Sequence, residues 1–369
     1  MTRKIAVLGS TGSIGTRALE IIDARPDLKL HSILCNRNLD LLLRQRKRYR
    51  PAITAINSLD GECPENVITG EGILHEVIDG ADMVLNAIVG SAGLEASLIC
   101  RDQNVLLALA NKESLVAGGE LLKDFIASGG VIPVDSEHST IFRCLNDETR
   151  PVRSITLTAS GGSARAIPIE KLNDAGIDSI LNHPTWDMGT RITVDSATMV
   201  NKAFEVIEAK WLFGGVPVDV VLHPRSIVHS FVQLEDGSWK ALMGNPDMRI
   251  PIQYALQFPS RELDQISFDG PLDWAKLEFG ELDSVRYPAF DTIMRSGFNG
   301  KTYPTAANAA DEVAVEAFLQ RRIRFGDIAG IIEDVLSEHE ALEVKDFETV
   351  MEADRDSRLK AERIVRKLC

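Results

Sequence analysis

The chain has 369 residues, of which 44% are hydrophobic and 25% charged, as in a globular protein of two or three domains. Its formal net charge of −14 disfavours general binding to nucleic acid or to an anionic membrane, because both need a basic surface. No apolar stretch approaches the ~20 residues that span a bilayer. Five dispersed cysteines without a Cys-x-x-Cys pair are typical of reduced thiols. We therefore expect a cytoplasmic protein without a signal or transit segment, which binds neither nucleic acid nor membrane.

The first residues combine a strand pattern, a glycine-rich turn and a helix pattern. Residues 4–8 predict a buried strand, GSTGSIG (9–15) follows, and the next residues predict a helix. Glycines allow a tight turn and a close approach of the backbone to a pyrophosphate at the helix N-terminus. The spacing G-x-x-G-x-x-G differs from the commoner G-x-G-x-x-G, so the motif alone is weak. Its place between a strand and a helix favours dinucleotide binding.

The second predicted strand, residues 28–34, ends at Cys35-Asn36-Arg37-Asn38. An acidic residue here would bind the ribose 2′-hydroxyl of NAD, whereas Arg37 suits the 2′-phosphate of NADP. A solvated loop arginine is the alternative. The basic run at residues 44–50 could add to the positive field around that phosphate, but a solvent-exposed helix face is the favoured interpretation.

Polar residues follow two later strands, predicted at 105–109 and 131–134. These are Asn111-Lys112-Glu113 and Asp135-Ser136-Glu137-His138. Ligands bind beyond the carboxyl ends of parallel strands, so we expect both groups in one crevice. In an extended chain Asp135 and Glu137 point to the same side, where two carboxylates need a cation; their oxygens suit Mg²⁺ or Mn²⁺. The alternative is that Asp135 caps the following helix.

Residues 192–213 are expected to begin as a strand at Ile192-Thr193-Val194 and to break at Asp195-Ser196. An amphipathic helix follows, with an apolar stripe of Val200, Phe204, Ile207 and Trp211.

The start of this predicted helix carries Ser196, Asn201 and Lys202, where free amides and the helix dipole favour an anion. Glu205 shares a face with Asn201 and Lys202. The pattern suits a phosphorylated substrate next to a metal. A capped helix with a solvated polar face is the alternative.

Other signals concern the middle of the chain. Asp236-Gly237 between alternating runs predicts a hairpin. Trp186 lies in a loop rich in Gly and Pro, and either belongs to a lid that excludes water or anchors the loop to a core. His183 either contacts a phosphate or satisfies a loop hydrogen bond.

Taken together, these residues resemble the 1-deoxy-D-xylulose 5-phosphate reductoisomerase family over nearly the whole chain. The matching blocks, in chain order, are GSTGSIG (9–15), ANKESLV (110–116), PVDSEH (133–138), SGG (160–162), HPTW (183–186), ITVDSATMVNKAFEVIEA (192–209), HPRSIVHS (223–230), NPDMR (245–249) and AANAADEVAVEAFL (306–319).

The resemblance implies a homodimeric NADP-dependent oxidoreductase of isoprenoid biosynthesis (the MEP pathway), with NADPH and a divalent cation, Mn²⁺ or Mg²⁺. The small phosphorylated sugar 1-deoxy-D-xylulose 5-phosphate would become 2-C-methyl-D-erythritol 4-phosphate by a metal-assisted retro-aldol/aldol rearrangement and hydride transfer. Lys112, Glu137 and a metal-bound water are the candidates for the general base. The alternative functions are a metal-free NADP-dependent aldehyde reductase and an idle NADP-binding scaffold.

The resemblance also implies roles for particular residues. The metal ligands would be Asp135, Glu137 and Glu205, and Lys112 would join them in the catalytic set. The substrate would contact Ser136, Ser160, His183, Trp186, Ser196, Asn201 and Lys202, with Met188 in the same flap as Trp186. NADPH would contact Thr11, Gly12, Ser13, Ile14, Arg37, Asn38, Asn111, Glu113 and Met248. The chain departs from the family pattern at Cys35-Asn36, Ser139-Thr140, Ser163-Ala164 and Thr190-Arg191.

We therefore predict an α/β protein: an N-terminal Rossmann-like dinucleotide-binding domain, a central α+β catalytic and connective domain, and a C-terminal helical bundle. The expected bounds are 1–135 for the NADPH-binding domain, 136–262 for the catalytic and dimerisation domain with a flap at 160–190, 263–287 for a linker, and 288–369 for the helical domain.

Overall fold

The computed structural model describes residues 2–182, 189–260, 270, 274, 276–297 and 299–368. The chain forms two compact units. The first, called the nucleotide unit below, comprises Met1–Ser114, Leu122–Phe142 and Asp247–Ser267. The second, called the helical unit, comprises Leu115–Leu121, Arg143–Pro246 and Phe268–Cys369. The domain bounds expected from the sequence stay a prediction.

The nucleotide unit is built on a six-stranded parallel sheet with the order β3-β2-β1-β4-β5-β6. Its strands are β1 (Arg3–Leu8), β2 (Leu28–Cys35), β3 (Ile53–Ile56), β4 (Met83–Asn86), β5 (Leu106–Leu109) and β6 (Val131–Pro133). This is the doubly wound order of dinucleotide-binding folds, with its crevice at the carboxyl ends of β1 and β4. The Rossmann-like domain expected from the sequence is confirmed.

Helices connect these strands and cover the sheet. They are α1 (Ser13–Ala24), α2 (Leu39–Tyr49), α3 (Ile73–Ile78), α4 (Gly93–Gln103), α5 (Glu113–Ala127) and α6 (Ser136–Leu145), and a later segment adds α11 (Arg249–Gln257). The core between sheet and helices includes Ile5, Ile33 and Leu42, none of which is exposed. Such buried parallel strands have continuous apolar sequences, which is why the sequence predicted β1, β2, β5 and β6, whereas β3 was not predicted.

The helical unit contains a four-stranded mixed sheet with the order β10-β9-β7-β8. Its strands are β7 (Val152–Ala159), β8 (Val218–Leu222), β9 (Val228–Leu234) and β10 (Trp239–Met243). The hairpin predicted at Asp236-Gly237 joins β9 to β10, and Gly237 has a φ of 85°. A glycine suits this left-handed position because it lacks a Cβ.

The remaining helices pack together in the same unit around α10 and α13. They are α7 (Ile169–Leu172), α8 (Ile177–Leu181), α9 (Thr190–Thr198), α10 (Val200–Leu212), α12 (Pro288–Gly297), α13 (Tyr303–Leu319), α14 (Asp327–Ser337) and α15 (Phe347–Leu368). Within the described residues, no helix is long and apolar enough to cross a bilayer. The α+β middle and the helical C-terminal part agree with the predicted fold class.

The strand expected at Ile192-Thr193-Val194 is wrong. These residues belong to α9, and the chain breaks at Met199, which has a φ of 64°, before α10 begins. The β-branched side chains favour a strand locally. However, Val194 and Ala197 are buried in the helical core, and their three-residue spacing fits a helix face. Tertiary packing therefore overrides the local preference.

Candidate active site

The turn between β1 and α1 carries the predicted contacts Thr11, Gly12, Ser13 and Ile14. The amides of Gly9 and Ser10 both donate to the Leu34 carbonyl at the end of β2, at 2.8 and 2.9 Å. A Cβ on Gly15 would lie 2.6 Å from the Ser10 Cα, so only glycine lets α1 pack so closely on the turn.

A cavity of about 390 Å³ opens on this turn. It is lined by Thr11, Gly12, Ser13, Thr16, Arg17 and Glu20. Within the described part of the chain, no side chain caps α1 at Gly12. Backbone amides at an uncapped helix N-terminus, together with the helix dipole, suit a phosphate.

Arg37 and Asn38 follow β2, as predicted, and both are exposed. The Asn38 side chain accepts a hydrogen bond from the Leu41 amide at 3.1 Å and so caps α2. The exposed Arg37 side chain is therefore placed beside a fixed helix start at the carboxyl end of β2.

Asn111 and Glu113 lie between β5 and α5, where their side chains hold the loop that follows β4. The Asn111 amide donates to the carbonyls of Ile88 and Gly90 at 2.7 and 2.9 Å, and to Glu113 at 3.0 Å. Glu113 in turn accepts from the Gly90 amide at 3.2 Å. These contacts shape one wall of the crevice; a direct contact of either side chain with NADPH stays a prediction.

Lys112 and Asp135, at the ends of neighbouring strands, meet within the nucleotide unit. The Lys112 Nζ lies 2.6 Å from Asp135 Oδ2, and both side chains are mostly buried. The chain is not extended here, because Ser136 begins α6 and Glu137 lies in its first turn, where Ser136 donates to the Glu137 carboxylate. The carboxylates are thus presented by a strand end and a helix start.

The break between α9 and α10 gives α10 its own N-terminal end, and the side chains near this end bind one another. Asn201 Nδ2 and Lys202 Nζ each donate to Glu205 at 2.5 Å, and Lys202 and Glu205 are almost completely buried. The shared face predicted from the sequence spacing is therefore observed. The apolar stripe from Val200 to Trp211 packs into the core of the helical unit, which fixes this arrangement.

Ser160 lies at the end of β7 and accepts a hydrogen bond from the Gly162 amide at 3.1 Å. A Cβ on Gly162 would lie 2.6 Å from the Ser196 carbonyl oxygen and 2.7 Å from the Ala197 Cα. The SGG turn thus packs directly on the end of α9. This brings the segments that carry Ser160 and Ser196 together within the helical unit.

The sequence did not indicate what supports this turn. The Tyr287 hydroxyl donates to the Gly161 carbonyl at 2.9 Å, and Arg286 donates to the carbonyls of Ala164 and Ile167, both at 2.7 Å. Burial raises the pKa of Tyr287 to about 12, so it remains a donor at neutral pH. The only signal was an aromatic residue at the end of the predicted linker.

A buried charge cluster at the start of α9 was also missed. Arg191 lies 3.5 Å from Asp195, 3.6 Å from Asp311 and 3.0 Å from Glu312, which also binds Arg358 at 2.6 Å. Burial, and then the charge of Asp195, raise the pKa of Asp311 well above its usual value. An aspartate in the Ala-rich α13 was the signal that could have revealed it.

The flap residues His183, Trp186 and Met188 lie outside the described residues. Met248 is described: it lies at the N-cap of α11 and packs against the core of the nucleotide unit. Its proximity to a nicotinamide stays a prediction.

The sheet order and the glycine turn define the class of protein: a Rossmann-type dinucleotide-binding protein that carries carboxylates at the strand ends of its nucleotide unit. Sequence models described as 1-deoxy-D-xylulose 5-phosphate reductoisomerase match residues 5–119, and models of its C-terminal domains match residues 131–213 and 243–360. The chain belongs to the 1-deoxy-D-xylulose 5-phosphate reductoisomerase family.

Relatives of the same name match over nearly their full length. The Bacteroides fragilis enzyme is 39% identical, covering 99% of this chain and 98% of the relative, and the Thermomicrobium roseum enzyme is 43% identical, covering 98% and 97%. The Zymomonas mobilis enzyme, solved with NADPH, shares 34% identity and a TM-score of 0.89 over 99% of both chains. A reductoisomerase solved with NADPH, fosmidomycin and magnesium shares 32% sequence identity and a TM-score of 0.89, again over 99% of both chains. These matches confirm the family expected from the sequence and do not favour a metal-free aldehyde reductase.

Proposed function

We propose that this chain converts 1-deoxy-D-xylulose 5-phosphate to 2-C-methyl-D-erythritol 4-phosphate by rearrangement and NADPH-dependent reduction. The observation that carries the proposal is the family match over both units, from residue 5 to residue 360. The chemistry of the candidate residues agrees with it, because a dinucleotide turn, a carboxylate set and a buried lysine–carboxylate pair are all present.

NADPH fits the turn at α1. The cavity there is lined by Gly12, by the hydroxyl side chains of the turn and of Thr16, and by Arg17 and Glu20, and α1 has no side-chain cap, so a pyrophosphate can approach the helix N-terminus. Arg37 is the cation that would bind the 2′-phosphate, at the strand end where NADP enzymes place one. Two solved relatives carry NADPH.

A divalent cation fits the donor set proposed for it. Asp135, Glu137 and Glu205 are carboxylates, and carboxylate oxygens are ligands that suit Mg²⁺ or Mn²⁺. A relative was solved with magnesium. The bound cation supplies Lewis-acid stabilisation of negative charge on substrate oxygens.

The chain's own residues would hold and orient the substrate. Ser160, Ser196, Asn201 and Lys202 are proposed to bind the phosphate around the start of α10, which makes it a remote handle for orientation. Lys112, held by Asp135, is placed to donate to a substrate oxygen or to move a proton there. Ser136, His183 and Trp186 complete the proposed substrate contacts, and the flap would exclude water.

We also propose a cytoplasmic homodimer. The sheet of the helical unit exposes apolar side chains, since Trp239 is 53% and Met243 45% exposed, and Phe231 stacks edge-on against Trp239. A self-complementary sheet face of this kind suits a second copy. Light scattering on the parent chain and on Trp239→Glu tests it; a monomeric parent would rule it out.

The test of function is the loss of NADPH absorbance with 1-deoxy-D-xylulose 5-phosphate, before and after rigorous chelation and after adding back Mn²⁺ or Mg²⁺. We expect turnover that chelation abolishes and metal restores. Full turnover after chelation would contradict the metal assignment. NADPH binding without turnover of this substrate under any metal would instead support an idle scaffold.

A further inference from the structure

Gln45 is the only residue in the basic run at residues 44–50 that is almost completely buried. Arg44, Lys47, Arg48 and Arg50 are exposed, in agreement with the solvent-exposed face expected there, whereas Gln45 is only 4% exposed. It lies three residues after the fully buried Leu42, on the inward face of α2. A buried primary amide needs hydrogen-bond partners, so its contacts identify its role.

Both ends of the Gln45 amide bind Ser10, in the middle of the glycine-rich turn. Gln45 Nε2 donates to the Ser10 carbonyl at 2.7 Å, and the Ser10 hydroxyl donates to Gln45 Oε1 at 2.9 Å. Ser10 is completely buried. The pair therefore forms a two-point clamp between residues 35 positions apart in the chain, with good geometry at both contacts.

Ser10 is held on three sides, and these contacts set the orientation of the turn. Its amide is held by Leu34 on β2, and its Cα is covered by Gly15 of α1. The Gln45 clamp holds Ser10 on a third side, because Gln45 donates to the Ser10 carbonyl, which immediately precedes Thr11. The Ser10 carbonyl is thereby held toward α2, and the Gly12 amide donates to the Gly9 carbonyl at 3.0 Å within the turn. The cavity lined by Thr11, Gly12 and Ser13 begins directly after the Ser10 peptide.

We propose that Gln45 is a positioning residue for NADPH: it fixes the Ser10 peptide so that the turn is preformed for the cofactor's pyrophosphate. This inference rests on the proposed function. Gln45 is not proposed to contact the cofactor; it acts through its two hydrogen bonds with Ser10. Because preorganisation reduces the cost of ordering the turn on binding, its loss lowers cofactor affinity rather than the rate of the bound complex.

The direct test is Gln45→Met, which keeps the length of the side chain and removes both hydrogen bonds. Losing the two contacts should raise the Kd and KM for NADPH by roughly 5- to 20-fold, with kcat at saturating NADPH within about twofold. The affinity for NADH should fall by a similar factor, because the clamp acts at the pyrophosphate turn and not through Arg37. The Kd is measured by NADPH fluorescence without substrate.

Two further variants separate positioning from general stability. Ser10→Ala removes only the hydroxyl half of the clamp and should raise the NADPH Kd by a smaller factor, about two- to fourfold, in a well-folded protein. Val77→Ala truncates a fully buried side chain on α3 in the same unit and should lower the thermal midpoint without changing the NADPH Kd. Hydrogen exchange of residues 9–16 should accelerate in Gln45→Met but not in Val77→Ala.

An unchanged NADPH Kd in Gln45→Met would overturn the proposal. So would a Kd increase that Val77→Ala reproduces at equal loss of stability, because Gln45 would then be a structural residue only. A parent chain that does not bind NADPH would instead contradict the proposed function itself. If Gln45→Met does not fold, Ser10→Ala decides between these outcomes.

Discussion

Two helix starts in this protein are proposed to hold phosphate, and they are built in different ways. At α1 the proposed phosphate contacts come from the backbone. Gly12 and Gly15 carry no side chain, and the turn is held by hydrogen bonds with Leu34 and Gln45. At α10 the proposed contacts come from side chains. Met199 breaks the helix in a left-handed conformation, and Asn201 and Lys202 in the first turn of α10 bind Glu205. The first is proposed to serve the cofactor, and the second is proposed to join substrate binding to chemistry.

The difference predicts that the two helix starts can be damaged separately. The largest effect should come from Glu205→Gln, which removes a proposed metal ligand and the carboxylate that pairs with buried Lys202. We expect turnover to fall by about 10³-fold or more, while the NADPH Kd stays within about twofold. Steady-state kinetics and NADPH fluorescence measure the two effects. The exposed Glu170→Gln in the same unit is the control, and an equal loss of NADPH affinity in Glu205→Gln would show that Glu205 is misplaced.

Arg37→Gln should produce the converse result, an effect on the cofactor alone, at the carboxyl end of β2. Losing a charge-assisted contact to the 2′-phosphate should lower kcat/KM for NADPH by about 10- to 100-fold and leave kcat/KM for NADH unchanged. The KM for the sugar phosphate should not change. Exposed Arg48→Gln on α2 serves as the control for net charge. A parallel loss with both cofactors would mean that Arg37 binds something other than the 2′-phosphate.

The sequence predicted the first helix start better than the second for a physical reason. Buried parallel strands have continuous apolar patterns, and glycines are required where a Cβ would clash, so β1, its turn and α1 are encoded locally. The pairing of Lys202 with Glu205 also follows from local spacing.

What the sequence did not predict depends on partners that are distant in the chain. Ile192 and Val194 favour a strand by themselves, and the packing of Val194 and Ala197 in the helical core makes this segment part of α9. Gln45 binds Ser10, Tyr287 binds Gly161, and Arg191 binds Glu312, and none of these pairs has a characteristic spacing. Sequence patterns therefore found the groups proposed to touch ligands more readily than the groups that hold them in place.

Met199→Gly tests why the break before α10 carries a large side chain. Glycine would remove the cost of the positive φ, about 1 kcal/mol, but would also remove a side chain that is only 2% exposed, worth roughly 2–5 kcal/mol. We expect a net loss of about 1–4 kcal/mol in the free energy of unfolding by urea denaturation. Met199→Leu, which keeps the volume, should cost less. A stabilised Met199→Gly would show that the break depends on backbone conformation alone.

Asp311→Asn should have the smallest and most pH-dependent effect. Burial and the charge of Asp195 raise the pKa of Asp311, so the folded protein keeps a proton that the unfolded chain releases above about pH 4. This contribution to stability is fully present below the unfolded pKa and is lost as the pH rises toward the folded pKa. Across that window the free energy of unfolding of the parent should fall by up to about 1.4 kcal/mol per pH unit relative to Asp311→Asn, whose amide does not titrate.

Urea denaturation of both proteins between about pH 4 and pH 8 measures this difference. Asp334→Asn, an exposed aspartate on α14, should run parallel to the parent at every pH. Parallel curves for Asp311→Asn as well would mean that Arg191 neutralises the buried carboxylates without a proton. A diverging curve would show that α9, which leads into the proposed phosphate-binding end of α10, is held to α13 in part by a proton. The turn before α1 is held by neutral hydrogen bonds, donated by Gln45 and accepted by the Leu34 carbonyl, and the contacts described include no such titrating group there.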